Sequence, residues 1–373
     1  MLPVPRWSLL LLIAAPLGAQ RVPLVTLSRV EAELSQPFSQ IDGVRELRDG
    51  RVIVLDTRDR VVQLVDLARG TMAQIGRHGS GPGEYRAPVR LFAIGGDSSA
   101  IFDGGNSRIM VILPDGRPGP AAPVVVKASQ MASMSVSQRY VPEASDTTGR
   151  LYRRTGILVF TPEGPKRPDT AAIERWDRAR DRHEIIAPLR MRFVPSGRWN
   201  GPPELHVMGP SMPFTNGDGW AVAPDGRVAI VRYENYRVEY VLPTGERVVG
   251  PSIPWQPIRV AEGHKEEWRE EQERNARGAP DDGPEQKEWP ELLPPFLGGA
   301  ASFAPDGMLW VKRTTVAGGP ATYDVIDPAG RVVRQVVLRA GSRVVGFGNR
   351  SVFVSRYDQD DLQYLQRYSL PRF

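Results

Sequence analysis

Short apolar runs recur along this chain, each ended by a pair of turn residues. Between Gly43 and Pro88 four of them follow one another: Gly43–Leu47, Arg51–Leu55, Val61–Leu67 and Thr71–Ile75. Asp49-Gly50, Asp56–Arg60 and Arg69-Gly70 separate them. Val, Ile and Leu runs of this length, bounded by Gly and Asp, predict strands on tight hairpins, because positive φ is cheap for Gly and tolerable for Asp or Asn. Four strands on short turns predict one antiparallel meander.

The pattern repeats. One class of turn precedes an apolar run six times: Asp49-Gly50, Gly95-Gly96-Asp97, Thr148-Gly149, Asp225-Gly226, Asp306-Gly307 and Gly348-Asn349. A second class follows five of these: Arg69-Gly70, Asp115-Gly116, Glu163-Gly164, Thr244-Gly245 and Ala329-Gly330. The paired glycines are 20, 20, 15, 19 and 23 residues apart, about the length of two strands and a turn. Six four-stranded units with short edges predict an all-β, six-bladed β-propeller of antiparallel blades. The sixth unit lacks its second turn and so needs an outer strand. The run Val22–Val30 is expected to pair with it and close the ring; the alternative is an unpaired arm. The third unit is the least regular, with Gln130–Tyr140, Gly149–Phe160, Thr170–Asp177 and His183–Leu189 as its strands and Thr161–Pro168 and Val194–Pro213 as connections. Two separate β-sandwiches are the rival architecture, disfavoured by one repeat running nearly end to end.

Composition narrows the class. Residues 1–19 read as a secretory signal, with Arg6, the apolar core Ser8–Ala15 and the small residues Leu17-Gly18-Ala19 before Gln20. The expected mature domain is 20–373, secreted or periplasmic, with no transmembrane segment. The chain has no cysteine, which removes disulfides, thiolate metal sites and a Cys nucleophile. Its net charge of +5 is too mild to argue for nucleic acid.

The unit Gly43–Gly76, followed by Gly76–Pro88 (GRHGSGPGEYRAP), resembles the repeat of NHL-type and related bacterial six-bladed propellers. APDGRVAIV and FAPDGMLWV carry the same likeness in the fourth and fifth units, whereas the third and sixth depart from it. The resemblance implies the fold across most of the mature chain. It implies little about activity, because that scaffold carries binding modules, lyases and lactonases.

Candidate chemistry is sparse. The glycines of Gly76–Pro88 lack the Lys-Ser/Thr and the following helix of a phosphate loop, so they predict an inter-blade connection. His78, Tyr85 and Arg86 are its candidate contacts. Arg45, Arg90, Arg232 and Arg313 lie near strand ends, where a central channel would meet an anionic ligand. No two of the four histidines share a helical or strand spacing. No cofactor is therefore expected, although the resemblance to metal-dependent lyases and lactonases leaves open a divalent ion gathered from different blades. Asp56, Asp103 and Glu234 read as turn caps or Arg partners. No G-x-S-x-G is present.

The clearest break in the repeat is a helical insertion at 256–297. Ala261–Arg277 is rich in helix formers, and Glu270 and Glu273 stand four residues before Arg274 and Arg277. Residues 261–292 carry 11 acidic and 5 basic side chains. An acidic helix on a basic propeller predicts a lid anchored by Trp268, Trp289 and Leu293; the alternative is a solvated excursion touching only its own blade. The reading that follows is a non-catalytic binding module, expected as a monomer, for an anionic small molecule or a peptide or protein segment. The alternative is a metal-dependent lyase or lactonase-type hydrolase.

Overall fold

The computed structural model describes residues 22–124, 140–156, 159–161, 164–196, 211–215, 217–276 and 288–371. The expected signal segment 1–19, all but the last residue of the expected strand Gln130–Tyr140, and residues 281–287 of the charged piece Asp281–Leu293 lie outside the described residues.

Six antiparallel four-stranded sheets follow one another along the chain, and the molecule is a six-bladed β-propeller. Blade 1 is Ile41–Glu46, Val52–Asp56, Val61–Asp66 and Thr71–Gln74. Blade 2 is Pro88–Ala93, Ser99–Asp103, Arg108–Ile112 and Pro118–Pro123. Blade 3 is Ala144–Ser145, Leu151–Thr155, Thr170–Asp177 and Arg182–Arg190. Blade 4 runs from Gly219–Val222 through Val228–Arg232 and Arg237–Val241 to Arg247–Val249. Blade 5 runs from Phe296–Phe303 through Leu309–Arg313 and Thr322–Ile326 to Val332–Val337. Blade 6 takes Ser342–Phe347, Ser351–Tyr357 and Gln363–Ser369 from the end of the chain.

All six turns of the first class join the first and second strands of a blade. At Gly50, Gly226 and Gly307, φ lies between +81° and +88°, a region where a side chain costs energy and glycine does not. In each of these turns the preceding Asp accepts the backbone N–H two residues on, as Asp49 does from Arg51 and Asp225 from Arg227.

Two expectations need correction. Glu163-Gly164 belongs to a separate hairpin, Val159–Thr161 with Gly164–Lys166, inserted between the second and third strands of blade 3. The turn before the blade's last strand lies instead at 178–181, where Asp181 takes positive φ. The innermost strand of that blade is Ala144–Ser145, later in the chain than expected.

The ring is closed by the front of the chain, but by different residues from the run Val22–Val30. Ala32–Glu33 pairs antiparallel with Gln363–Ser369, and Glu31, Leu34 and Phe38 donate to the carbonyls of Arg367, Leu365 and Gln363. Leu24–Thr26 lies parallel to Val332–Val337 as a fifth strand on blade 5. The apolarity of the earlier run therefore serves an added edge, whereas Leu34 and Phe38, both buried, anchor the closing strand.

The core lies between blades. Six apolar clusters occupy the six interfaces; one joins Ile53, Leu55 and Val62 of blade 1 to Ile101, Met110 and Ile112 of blade 2. Phe102, Trp310 and Phe353 are buried in such clusters, as their place in strand runs predicts. A channel of about 770 Å³ runs among the inner strands of all six blades.

Candidate functional site

The connection from blade 4 to blade 5 carries the helix Glu262–Ala276. Ile258–Arg259 and Leu292–Leu293 pair antiparallel and pinch the insertion at its base. With 15 residues the helix is about 22 Å long, enough to leave its own blade. Its first turn is held on blade 5: His264 Nδ1 accepts the Ala261 N–H, Nε2 donates to the Thr315 carbonyl at 3.1 Å, and Glu267 accepts from Gly318 N–H. Its last turn reaches blades 6 and 1. Arg274 pairs with Asp361 at 3.4 Å and lies over the Tyr357 ring, and Arg58 donates to the Arg274 carbonyl. The helix thus bridges three blades, the geometry of a lid. Trp268 meets Trp289 edge-on at 5.3 Å, and Leu293 is buried.

Two cavities lie beneath it, about 420 Å³ and about 200 Å³, sharing Glu271 and Arg343 in their walls. The helix presents His264, Glu267, Trp268 and Glu271 to the larger one, a spacing that keeps four side chains on one helical face. Its opposite wall is basic: Lys312 and Arg313 from the second strand of blade 5, and Arg343 from the first strand of blade 6. A break in the sheet makes the room. Ala301 pairs with Val311 and Phe296 with Arg313, so residues 297–300 swing out opposite Lys312 alone.

The cations differ in how far they are committed. Arg343 donates to the Ile41 carbonyl and pairs with Asp42 at 3.6 Å. Among the described residues Arg313 has one ion pair, with Asp324, at 3.5 Å. Lys312 has no hydrogen-bond or ion-pair partner among the described residues. Lys312 is exposed and lines the cavity beneath the helix. Desolvation beneath the helix pushes its pKa down; Glu271 pulls it up, Arg343 pushes it down and Glu267 adds the smallest upward pull. Tyr323, which pairs across the sheet with Lys312, has its hydroxyl pKa pushed up to about 12, chiefly by burial.

The other residues singled out from sequence are dispersed. His78 is exposed on a two-residue strand, Arg77–His78, beside Glu84–Tyr85. Tyr85 is buried between blades 1 and 2, and its hydroxyl accepts the Val62 N–H at 3.0 Å. Arg86 is exposed, its backbone N–H held by Asp103. Arg45 and Arg90 line the central channel; burial lowers the pKa of Arg45 against the pull of Asp97, 4.0 Å away. Arg232 is committed to Asp218 at 2.6 Å and Glu239 at 2.7 Å. Of that set, Arg313 and Trp268 meet in the cavity beneath the helix, and Arg45 and Arg90 meet in the central channel.

The residues that complete the site, Lys312, Arg343, Glu267 and Glu271, escaped sequence reading because three elements far apart in the chain supply them. One clue stands in the composition. Of 48 basic residues 43 are Arg, so Lys312 is an uncommon choice. Among the described residues, no three His, Asp or Glu side chains gather as a set of metal ligands. Nor is any described helix long and apolar enough to cross a membrane.

Every fold-level observation agrees. The chain shares the architecture of known propellers.

Regucalcin, a calcium-binding protein from Agrobacterium tumefaciens, is 11% identical over 94% of this chain and 97% of its own, with a TM-score of 0.39. Virginiamycin B lyase from Staphylococcus aureus is 8% identical over 92% of this chain and 89% of its own, at 0.36. A DUF4221 family member from Bacteroides vulgatus is 7% identical over 92% of this chain and 98% of its own, at 0.49. No family model and no curated protein matches the chain. Likeness at this level concerns the fold alone.

Proposed function

We propose that this chain is an exported binding protein, of the NHL-like kind its repeat Gly43–Pro88 resembles, and that it holds an anionic small molecule beneath its helix. The observation that carries this is the cluster of Lys312, Arg313 and Arg343 in the wall of one covered cavity. A volume of about 420 Å³ suits a small molecule better than a peptide segment. Cations in a partly desolvated site attract an anion more strongly than surface cations do. The acidic helical face above them would set orientation, since a carboxylate is drawn to the sheet and repelled from the helix.

Calorimetric titration of the mature chain with a panel of small mono- and dicarboxylates tests the reading. Binding is expected for at least one, weakened about tenfold or more by Arg313→Ala, as befits the loss of one charge-assisted hydrogen bond. Replacing residues 261–292 with a short linker is expected to leave the ring folded and to abolish binding. A panel with no binder, or a binder indifferent to both changes, would refute the assignment. Repeating the titration with added divalent ions tests the lyase or lactonase-type alternative.

A further inference from the structure

The cavity holds one group that anion binding alone does not require. Lys312 is the sole residue facing the four-residue excursion 297–300, in a place where two arginines already stand. Arginine would serve a carboxylate better, because its planar fork binds two oxygens at once. A lysine amine differs in one chemical respect: unprotonated, it is a nucleophile towards carbonyl carbon. The amine has no partner among the described residues, and the protein around it favours its neutral form. Glu267 and Glu271 face it from the helix.

Resting on the anion-site reading, we propose that Lys312 forms an imine with a carbonyl-bearing carboxylate, a 2-oxo acid or an aldehyde acid, held by Arg313 and Arg343. The Nζ lone pair attacks the carbonyl carbon, and the C=O π pair moves to oxygen, which takes up a proton. Nitrogen then loses a proton, the hydroxyl takes up another and leaves as water, and the C=N bond forms as a protonated iminium, which gives up its N–H proton to leave the imine. One carbonyl and one amine give one imine and one water, with no change of oxidation state. Glu267 and Glu271 are the groups positioned to relay these protons. The carboxylate stays on the arginines, which fixes the carbonyl end toward Lys312.

The test uses the mature chain with pyruvate and 2-oxoglutarate as probes and lactate as the carbonyl-free control. Borohydride added to the mixture is expected to fix a stable adduct, found by peptide mass mapping at Lys312 and not at Lys127, Lys166, Lys265 or Lys287. Lys312→Arg is expected to abolish the adduct, whereas Lys166→Arg, outside the cavity, is expected to leave both the adduct and carboxylate binding, followed by calorimetry, unchanged. If the oxo acids and lactate bind alike and no adduct forms at Lys312, the covalent step is overturned and the anion site stands. If none of the three binds and no adduct forms, both readings fail together.

Discussion

Asp103 shows how single side chains hold this ring. It ends the second strand of blade 2 and is fully buried. Its Oδ1 accepts the backbone N–H groups of Arg86 and Ala87, and Oδ2 accepts from Asn106. Asp56 does the same in blade 1 for Ser39 and Gln40, and adds the N–H groups of Arg58 and Asp59. Each carboxylate thus fastens the incoming connection to the blade it enters. Buried donors left without acceptors are costly, so Asp103→Ala is expected to lower unfolding free energy by about 3 kcal/mol. Urea denaturation measures this, and a loss below about 1 kcal/mol would count against the latch. Turn-capping by Asp56 and Asp103 was legible in the sequence from their position after a strand run. Their hold on a connection 16 or 17 residues away was not, because it depends on how blades meet.

At the scale of elements, strands and turns were the most legible feature. A DG pair between apolar runs restricts backbone geometry locally, and all six first-class turns fall between the first two strands of a blade. Blade 3 was misread where local cues compete: Glu163-Gly164 makes a good hairpin, but the hairpin is an insertion. Helix formers and i,i+4 pairs foretold Glu262–Ala276, and Arg274 does approach Glu270, at 3.8 Å. Where the helix would lie was hidden, since its seats on Thr315, Asp361 and Arg58 come from three other blades' connections. The cavity was hidden for the same reason. It needs a helix, a sheet break and a neighbouring blade together.

At the scale of the whole molecule, the six interfaces share the load, and tyrosines fill several of them. Burial raises the hydroxyl pKa of Tyr140, Tyr152, Tyr236 and Tyr240, and carries that of Tyr323 to about 12. Below the ordinary tyrosine pKa of about 10, both folded and unfolded chains keep these protons, and they add no pH dependence. Above it the unfolded chain releases protons first, so stability falls as pH rises toward the folded values. Lys312, whose pKa is lowered, has the opposite sign but is one group against several tyrosines. Melting temperatures are therefore expected to decline above about pH 10, with tyrosinate absorbance rising as the chain unfolds. A flat profile there would contradict the burial. Ring closure makes a second prediction at this scale. Removing residues 20–29 strips the added strand of blade 5 together with Leu27, buried between blades 5 and 6, and is expected to lower the melting temperature modestly. Removing 20–34 also takes Ala32–Glu33 and the buried Leu34, and is expected to lower the melting temperature sharply. Equal effects would refute the division of labour between the two segments.

That shared sheet also orders events in time. Ala32 lies opposite Arg367, with more than three hundred residues between them. While a ribosome is still adding blade 5, the strand partner of Ala32 does not yet exist, and Phe38 has no Gln363 to bond. Early blades can form as they emerge, but the circle stays open until Gln363–Ser369 has been made. Pairing over so great a separation is slow, which makes the joining of first and last the natural bottleneck in building this protein.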